Sequence, residues 1–475
     1  MCHDALQAQT VRGTVIDHGT RAPIPGAIVS ITADSTIQRR TMTNEAGIFR
    51  LDSLPIGRRQ LAVSAMGYEP VVVGNILVTS AKEAVLTIEL SESPTELAAA
   101  TVEGERPGEV RNEMALISAR RFSVEETDRY AGSRGDPGRM ASNFAGVQGA
   151  DDSRNDIVVR GNSPMGVLWR FEGVNIPNPN HFAIPGTGGG PVTILNNKYL
   201  ANSDFFTGAF PAEFGNATAG VFDLRMRNGN AEKHEFVAQF GFLGTELMAE
   251  GPLSRKHGSS YLVNYRYSTL RLFGFMGIKI GTDAIPQYQD GAFRVNFPYR
   301  KGAVAAWGIG GTSRIDIIIS DQEKPDTTTL IYGDNDRDQY FRSRMGTAGI
   351  TWTHSLGERT YMRATAAVSG QVVAPYHDYV YRHVEEGRYV VDSLPPLLRY
   401  TFTENKAMLY LRVDHKLGRR TGLRAGMNTE QQWNCYQDSA RSLIGAIEAG
   451  EPNTLAPWRV RWDAQVSAVQ LQPYV

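Results

Sequence analysis

The fold is decided by residues 156–230, which read DIVVRGNSPMGVLWRFEGVNIPNPNHFAIPGTGGGPVTILNNKYLANSDFFTGAFPAEFGNATAGVFDLRMRNGN. Short runs of β-branched and aromatic residues alternate in this segment with long loops rich in Gly, Pro and Asn. Such alternation predicts short strands, which we place at residues 157–160, 167–171, 204–207 and 221–226. The segment belongs to a predicted α+β domain that covers residues 119–232.

The residues that follow, 233–475, show the pattern of an antiparallel β-barrel in a membrane. About nine predicted strands alternate in polarity with a period of two, and one of them, residues 399–417, is unusually long. Tyr261, Val263, Tyr265 and Tyr267 share one strand face. The short connections are GPLSRKHG, PYRKG, SLGER and LGRRT, and they take turns with long ones at residues 273–289, 320–339, 375–397 and 436–457. This sorting is typical of an outer-membrane barrel, and a large soluble β domain is the alternative.

The residues that precede the deciding segment predict a small β-sandwich and a linker. In residues 11–92 short strands recur about every ten residues between Gly and Pro turn signals. Residues 93–118 are rich in charged and small residues, as a linker is. The first ten residues, MCHDALQAQT, are either the remnant of an export signal or a short disordered end. The predicted fold class is therefore mainly β: a small sandwich, an α+β domain, and a partial transmembrane antiparallel β-barrel.

The composition excludes several classes of function. Lys and Arg number 49 against 50 Asp and Glu, so the basic excess of a nucleic-acid binder is missing. Two Cys residues are too few for a disulfide scaffold or a multi-Cys metal site. The stretch GTGGGP lacks the Lys and Ser/Thr of a phosphate-binding loop, and no His pair has zinc spacing. We therefore expect no enzyme activity, no catalytic residues, no metal site and no cofactor.

Four short motifs of the deciding segment resemble the plug domain of TonB-dependent outer-membrane receptors. They are VVRGN, FEGV, FPAEFG and GVFDLRM, in the order and spacing of that family. The N-terminal unit, with GTVID, PIPGAIVSI and TNEAGIFRL, resembles the carboxypeptidase-regulatory-like domain, which has a carbohydrate-binding-like fold. The whole order of sandwich, linker, plug and barrel strands is typical of such receptors.

The resemblance implies a plug inside a polar barrel lumen, where an unpaired charge would be costly. We expect the charged plug residues to pair with the lumen wall or with each other, and the glycines to serve backbone turns. These residues are Arg160, Gly161, Arg170, Glu172, Gly173, Glu213, Gly215 and Arg225. An ordinary surface position is the alternative for each charge.

The loop PNPNHFAIPGTGGGP follows the acid-Gly-Val turn, and in the family the loop at this place rises toward the outside and can touch substrate. Asn178, Asn180, His181 and Phe182 offer amide, imidazole and aromatic groups. Such groups suit polar or metal-chelate ligands. A purely structural loop role is the favoured alternative for each of the four.

The resemblance also places the energy-coupling segment, the TonB box, in the linker. The candidate residues are Ala99, Ala100, Thr101, Val102, Glu103 and Gly104. They would bind a TonB-type energy-coupling protein by strand addition, which tolerates sequence variation.

The implied function is TonB-dependent uptake of a scarce nutrient, such as siderophore-iron or an oligosaccharide. The implied location is the outer membrane of a Gram-negative bacterium, with the N-terminal domain in the periplasm. The implied partners are the energy-coupling protein, outer-membrane lipid and the nutrient, and no nucleic acid. A signalling or adhesion receptor of the same architecture is the alternative. Because about nine strands would leave an open edge in lipid, we expect the sequence to be a fragment of a longer barrel.

Overall fold

The computed structural model describes residues 9–18, 22–33, 36–79, 83–92, 103–104, 119–122, 127, 132–133, 135–149, 154–241, 244–269, 286–324, 334–357, 359–418, 421–444 and 454–475. Strands dominate these ranges, so the prediction of a mainly β chain is confirmed. Within the same ranges, no helix combines the length and the apolar character needed to cross a bilayer.

The N-terminal unit is a sandwich of two sheets. Its strands are β1 (Val11–Asp17), β2 (Ile28–Ala33), β3 (Thr36–Met42), β4 (Ile48–Leu51), β5 (Gly57–Ser64), β6 (Val71–Val78), β7 (Ala84–Leu90) and β8 (Glu103–Gly104). One sheet has the order β4-β1-β7 and the other the order β3-β2-β5-β6-β8. Strand β1 alternates buried and half-buried residues, which places Val11 and Val15 in the core between the sheets.

The middle unit, the plug, is a five-stranded mixed sheet with the order β13-β12-β17-β16-β9. Its elements are β9 (Ala119–Phe122), α1 (Pro137–Ala141), β10 (Val147–Gly149), β11 (Ile157–Val159), a 3-10 turn (Pro164–Gly166), β12 (Val167–Phe171), β13 (Val174–Asn175), β14 (Asn180–His181), β15 (Val192–Thr193), β16 (Ser203–Phe206) and β17 (Gly220–Leu224). Trp169 stacks on Phe222 with ring centroids 4.3 Å apart, and Phe205 lies 4.4 Å from the same ring. Aromatic packing therefore holds the sheet together.

The third unit is one antiparallel sheet that curves around the plug. Its strands are β18 (Glu235–Phe240), β19 (Thr245–Ser254), β20 (Ser259–Tyr267), β21 (Gln287–Tyr299), β22 (Gly302–Ile317), β23 (Arg337–Ser355), β24 (Thr360–Val373), β25 (Tyr376–Tyr379), β28 (Pro396–Gly418), β29 (Thr421–Ala440) and β32 (Arg459–Tyr474). Two small hairpins, β26 (Tyr381–Glu385) with β27 (Arg388–Ser393) and β30 (Leu443–Ile444) with β31 (Thr454–Leu455), stand outside it. Plug side chains contact this sheet from β19 to β32, so it forms a wall around the plug.

The predicted number of wall strands, about nine, is corrected to ten along the hydrogen-bonded path of the described residues. The sequence pattern merges β18 and β19 into one strand, whereas the structure pairs them as a hairpin, Phe240 opposite Thr245. Apolar residues continue through this turn, so the period of two gives no sign of it. The other connections alternate short and long as predicted, and the predicted long strand is β28.

Candidate functional site

The candidate site is the contact between the plug and the wall. Glu172 and Gly173 form the two-residue turn between β12 and β13, with φ angles of 51° and 86°. A two-residue hairpin of type I′ requires positive φ at both positions, which glycine adopts without strain. The turn carries the carboxylate of Glu172 into the wall.

The Glu172 carboxylate is paired with two wall arginines. Its Oε2 lies 3.1 Å from NH1 of Arg294 and 3.3 Å from NH2 of Arg363, and the Met226 amide donates to Oε1 at 2.7 Å. Burial alone would raise the pKa of Glu172, but the two arginine charges and the Met226 amide outweigh it and hold the pKa below its ordinary value. The residue therefore stays ionised inside the protein.

Glu213 is shared by three guanidinium groups. Its Oε1 accepts a hydrogen bond from NH1 of Arg424 at 2.9 Å, and its Oε2 lies 3.6 Å from Arg170 and 3.9 Å from Arg412. On the wall, Asp414 binds Nε of Arg424 at 2.6 Å and lies 2.9 Å from Nε of Arg412. A carboxylate from the plug and one from the wall thus hold the same pair of arginines. The plug–wall ion network is the name that we give to the charged residues at this contact. Its plug members are Arg170, Glu172, Glu213, Asp223 and Arg225, and its wall members are Arg294, Arg363, Arg412, Asp414 and Arg424.

Two of the predicted charged residues contact other residues of the plug. Arg225 is paired with Asp223 on β17 at 3.5 Å. Arg160 stands with Gly161 in another turn of positive φ, 49° and 80°, and it is exposed. Its guanidinium donates to Oγ1 of Thr207 at 3.4 Å, so its side chain lies over the plug surface instead of inside the network.

Gly215 differs from Gly161 and Gly173, because its φ does not lie in the left-handed region as theirs do. A Cβ at residue 215 would lie 2.3 Å from the side-chain amide of Gln472 on β32. Glycine at this position instead allows the plug to approach the wall closely.

The two asparagines of the predicted ligand-facing loop have their amides engaged inside the plug. Nδ2 of Asn180 donates to Oδ1 of Asn178 at 2.6 Å, and Oδ1 of Asn180 accepts from Asn155 at 2.7 Å. Nδ2 of Asn155 also donates to Asp136, which caps helix α1. These bonds fix the loop to the segment before β11.

His181 and Phe182 connect the same loop to the wall. Nε2 of His181 lies 2.8 Å from Oδ2 of Asp290 on β21, and the backbone amide of Phe182 donates to Ser313 on β22 at 2.9 Å. The rings of both loop residues lie against Tyr288, at 4.7 and 6.3 Å. The loop is therefore held by both hydrogen bonds and aromatic contacts.

The sequence alone does not predict the wall partners of the plug charges. Arg294, Arg363, Arg412 and Asp414 are strand residues, and Glu430 on β29 accepts from Asn175 of the plug at 2.9 Å. The signal that could have found them is a charged residue on the face opposite the apolar one of a barrel strand. The partner of each charge depends on how plug and wall meet, which no local pattern contains.

Of the TonB-box candidates, Ala99, Ala100, Thr101 and Val102 lie outside the described residues. Glu103 and Gly104 form strand β8, which pairs in parallel with Val71 and Val72 at the edge of the sandwich. The linker thus already takes part in strand addition within the chain.

The sandwich is attached to the end of the wall where the short connections lie. The Glu83 side chain is fully buried and contacts Arg12 at 2.8 Å and Arg50 at 2.9 Å within the sandwich. It also contacts Lys233 at 2.5 Å and Asn230 at 3.0 Å, just before β18. A second contact joins Lys416 of β28 to Asp17 at 2.7 Å and to Glu92 at 3.0 Å. We call the contacts of Glu83 and those of Lys416 together the rim contacts.

The rim contacts keep Glu83 ionised. Burial would raise the pKa of Glu83, but the Lys233 hydrogen bond and the charges of Arg50 and Arg12 hold it below its ordinary value.

Among the described residues, no group of three or more His, Cys, Asp or Glu side chains is arranged to hold a metal ion.

Comparisons with known proteins agree with the motifs. Residues 10–91 match the family model of the carboxypeptidase regulatory-like domain. The chain is 22% identical over 234 residues to the TonB-dependent transporter Oar of Myxococcus xanthus, a match that covers 49% of this chain and 21% of that protein. The resemblance predicted from the sequence is thereby confirmed.

Solved structures of similar shape include the outer membrane transporter YddB from Escherichia coli, at 12% identity and a TM-score of 0.46, covering 74% of this chain and 53% of that one. Another is the ferric yersiniabactin uptake receptor FyuA from Yersinia pestis, at 10% identity and a TM-score of 0.42, covering 75% and 61%. The chain spans about a fifth of the curated relative and 53% to 61% of these two solved chains.

Proposed function

We propose that the protein is a TonB-dependent outer-membrane transporter that takes up a scarce nutrient such as siderophore-iron or an oligosaccharide. The plug–wall ion network carries this proposal. A plug that only had to close a pore could be packed with apolar residues, whereas ion pairs between two bodies can be exchanged for water when the bodies separate. The network suits a plug that must seat and release.

The linker and the rim contacts support the energy-coupling part of the proposal. The last two residues of the proposed TonB box at 99–104 are strand β8, and β8 is paired with the sandwich. The sandwich in turn lies against the same end of the wall as the short connections, which face the periplasm in outer-membrane barrels. A TonB-type protein that pulls residues 99–104 would therefore act from the periplasm on both the linker and the sandwich.

The nutrient would meet the opposite end of the lumen. Alternation along β28 and β29, counted from the plug-facing Tyr410 and Glu430, puts Phe402 and Tyr436 on the inner face. Their ring centroids lie 5.4 Å apart, and Tyr400 lies 5.1 Å from Phe402. This half-buried aromatic surface suits a ligand with flat or aromatic groups.

The proposal is tested by deleting residues 99–104 from the full-length gene in its native cell. The readout is energy-dependent accumulation of two probes, a 55Fe-loaded siderophore and a 14C-labelled oligosaccharide on which the parent strain depends. We expect accumulation to be lost while surface binding of the probe remains. Deletion of residues 111–116, of equal length in the same linker, is the matched control. Unchanged accumulation after the first deletion contradicts energy coupling through this segment.

The alternative is a signalling or adhesion receptor of the same architecture, which the docked sandwich favours because that domain could report plug position. In that case, both deletions would leave accumulation at the background of a strain lacking the gene, while probe binding would still change transcription or cell attachment. The same experiment therefore separates the two functions.

A further inference from the structure

A small cavity lies inside the plug–wall ion network. It has a volume of about 20 Å³, enough for one or two water molecules or one monatomic ion. Its charged lining consists of Arg170 and Arg225 of the plug, Arg363 and Arg412 of the wall, and the carboxylates of Glu213 and Asp223. The cavity therefore lies between the two bodies whose separation the proposed function requires.

The lining carries an excess of positive charge. Four guanidinium groups and two carboxylates line the cavity, and Glu172 and Asp414 pair with Arg363 and Arg412 from outside the lining. Counted with Arg294 and Arg424, the plug–wall ion network has six guanidinium groups against four carboxylates, which leaves two positive charges. The side chains of Arg170, Arg363 and Arg412 are 6%, 12% and 11% exposed, so water screens them little. An excess of buried positive charge is costly unless an anion offsets it.

The carboxylates do not use up the N–H groups around the cavity. Glu213 lies 3.6 Å from Arg170 and 3.9 Å from Arg412, and Asp223 lies 3.5 Å from Arg225. All three distances exceed those of well-formed hydrogen bonds, about 2.7–3.2 Å. Among the described residues, the buried Nε of Arg363 has no hydrogen-bond acceptor, and the Nε of Arg412, although 2.9 Å from Asp414, is not in hydrogen-bonding geometry with it. Such N–H groups are the donors that proteins use for anions.

We propose that this cavity binds one monatomic anion, chloride under cellular conditions. The volume excludes phosphate and larger carboxylates, and the charge of the lining excludes a cation. The bound anion would touch guanidinium groups of both the plug and the wall, and would therefore hold the plug in its seated position.

The test uses the full chain purified in detergent and measures the midpoint of thermal unfolding in sodium chloride and in sodium gluconate at equal ionic strength. Crystals soaked in sodium bromide locate the ion by anomalous scattering. We expect a higher midpoint in chloride and a bromide peak between Arg225 and Arg363. Equal midpoints, or bromide peaks only outside this cavity, overturn the proposal.

Variants assign the effect to the cavity. Arg225→Gln removes one positive charge and should weaken halide binding by about tenfold or more. Arg461→Gln is the matched control, because it makes the same charge change at a side chain that is 51% exposed, on β32. Asp223→Asn keeps the test valid if Arg225→Gln does not fold, since it removes a negative charge and should tighten halide binding. Unchanged halide affinity in Asp223→Asn contradicts the proposal, and so does a loss of the chloride effect in Arg461→Gln.

Discussion

His181 in the plug and Asp290 in the wall form a buried pair: Nε2 of the histidine lies 2.8 Å from Oδ2 of the aspartate, and each side chain is 1% exposed. Arg266 donates to the same carboxylate oxygen at 2.7 Å. Burial, the largest influence, lowers the pKa of His181; Asp290 acts in the opposite sense, and Arg266 adds to the lowering. The imidazole is therefore neutral at pH 7 and donates its Nε2 hydrogen to Asp290.

The pair predicts that the plug seats less firmly in mild acid. A histidine whose pKa is lowered by folding takes up its proton more readily when the plug is released, so stability falls as the pH drops below about 6.5. We expect the guanidinium midpoint of plug unfolding to fall between pH 6.5 and the lowered pKa of His181. His181→Gln retains an N–H donor without a titrating group, and it should remove this part of the pH dependence. An equally steep pH profile in the variant would contradict the assignment.

Glu213→Gln tests the shared carboxylate of the plug–wall ion network. The change leaves Arg170, Arg412 and Arg424 with one fewer buried negative charge, and the expected loss is about 3–5 kcal/mol in the free energy of plug unfolding. The measurement is guanidinium unfolding at pH 7. Glu45→Gln, at an exposed turn of the sandwich, is the matched control and should change this free energy by less than about 0.5 kcal/mol. Equal effects of the two variants would show that the network does not hold the plug.

The sequence predicts the elements of this protein better than their contacts. The alternation of residues with a period of two identifies β28, and the pair Glu172-Gly173 identifies the turn between β12 and β13. Both signals are local in the sequence. The hairpin between β18 and β19 is missed because its turn contains no break in apolar character. The wall partners of Glu172 and Glu213 are missed for another reason: Arg363 and Arg424 lie 191 and 211 residues further along the chain, and only the packing of plug against wall brings them together.

Glu83→Gln should loosen the sandwich from the wall. The change removes the charge that Lys233, Arg12 and Arg50 share, while the sandwich core does not include this side chain. Spin labels at Met66→Cys and Leu356→Cys, in a chain lacking Cys2 and Cys435, report the separation of the two bodies. We expect one narrow distance between the labels in the chain that keeps Glu83, and a broad distribution of distances in the labelled chain that carries Glu83→Gln.

Lys416→Gln should broaden the same distribution through the second rim contact, with Asp17 and Glu92. Lys301→Gln is its matched control, since Lys301 is exposed in a short connection at the same rim. Narrow distances in both Glu83→Gln and Lys416→Gln would mean that ion pairs do not attach the sandwich.

The rim contacts also predict a second, more acidic transition. The pKa of Glu83 is held below its ordinary value of 4.5. A carboxylate with a lowered pKa stabilises docking above that ordinary value, and the stabilisation is lost as the pH falls through the lowered pKa. Spin-label distances should therefore stay narrow from pH 7 to about 5 and broaden below about 4.5. Broadening already near pH 6.5 would contradict the assignment of this transition to Glu83.

Gly189→Ala tests how tightly the loop of residues 177–191 is packed. A Cβ at this position would lie 2.5 Å from Oδ1 of Asn155 and 2.6 Å from the backbone nitrogen of Asp156. The same asparagine and aspartate accept the amide hydrogens of Gly190 and Gly189, both at 2.7 Å, so the loop cannot move away without losing those bonds. We expect a loss of about 1–3 kcal/mol in plug stability, measured by guanidinium unfolding. Gly357→Ala has no atom within 4 Å of its new Cβ, and it should leave stability unchanged; a loss as large as that of Gly189→Ala would show that the loop accommodates a side chain by moving.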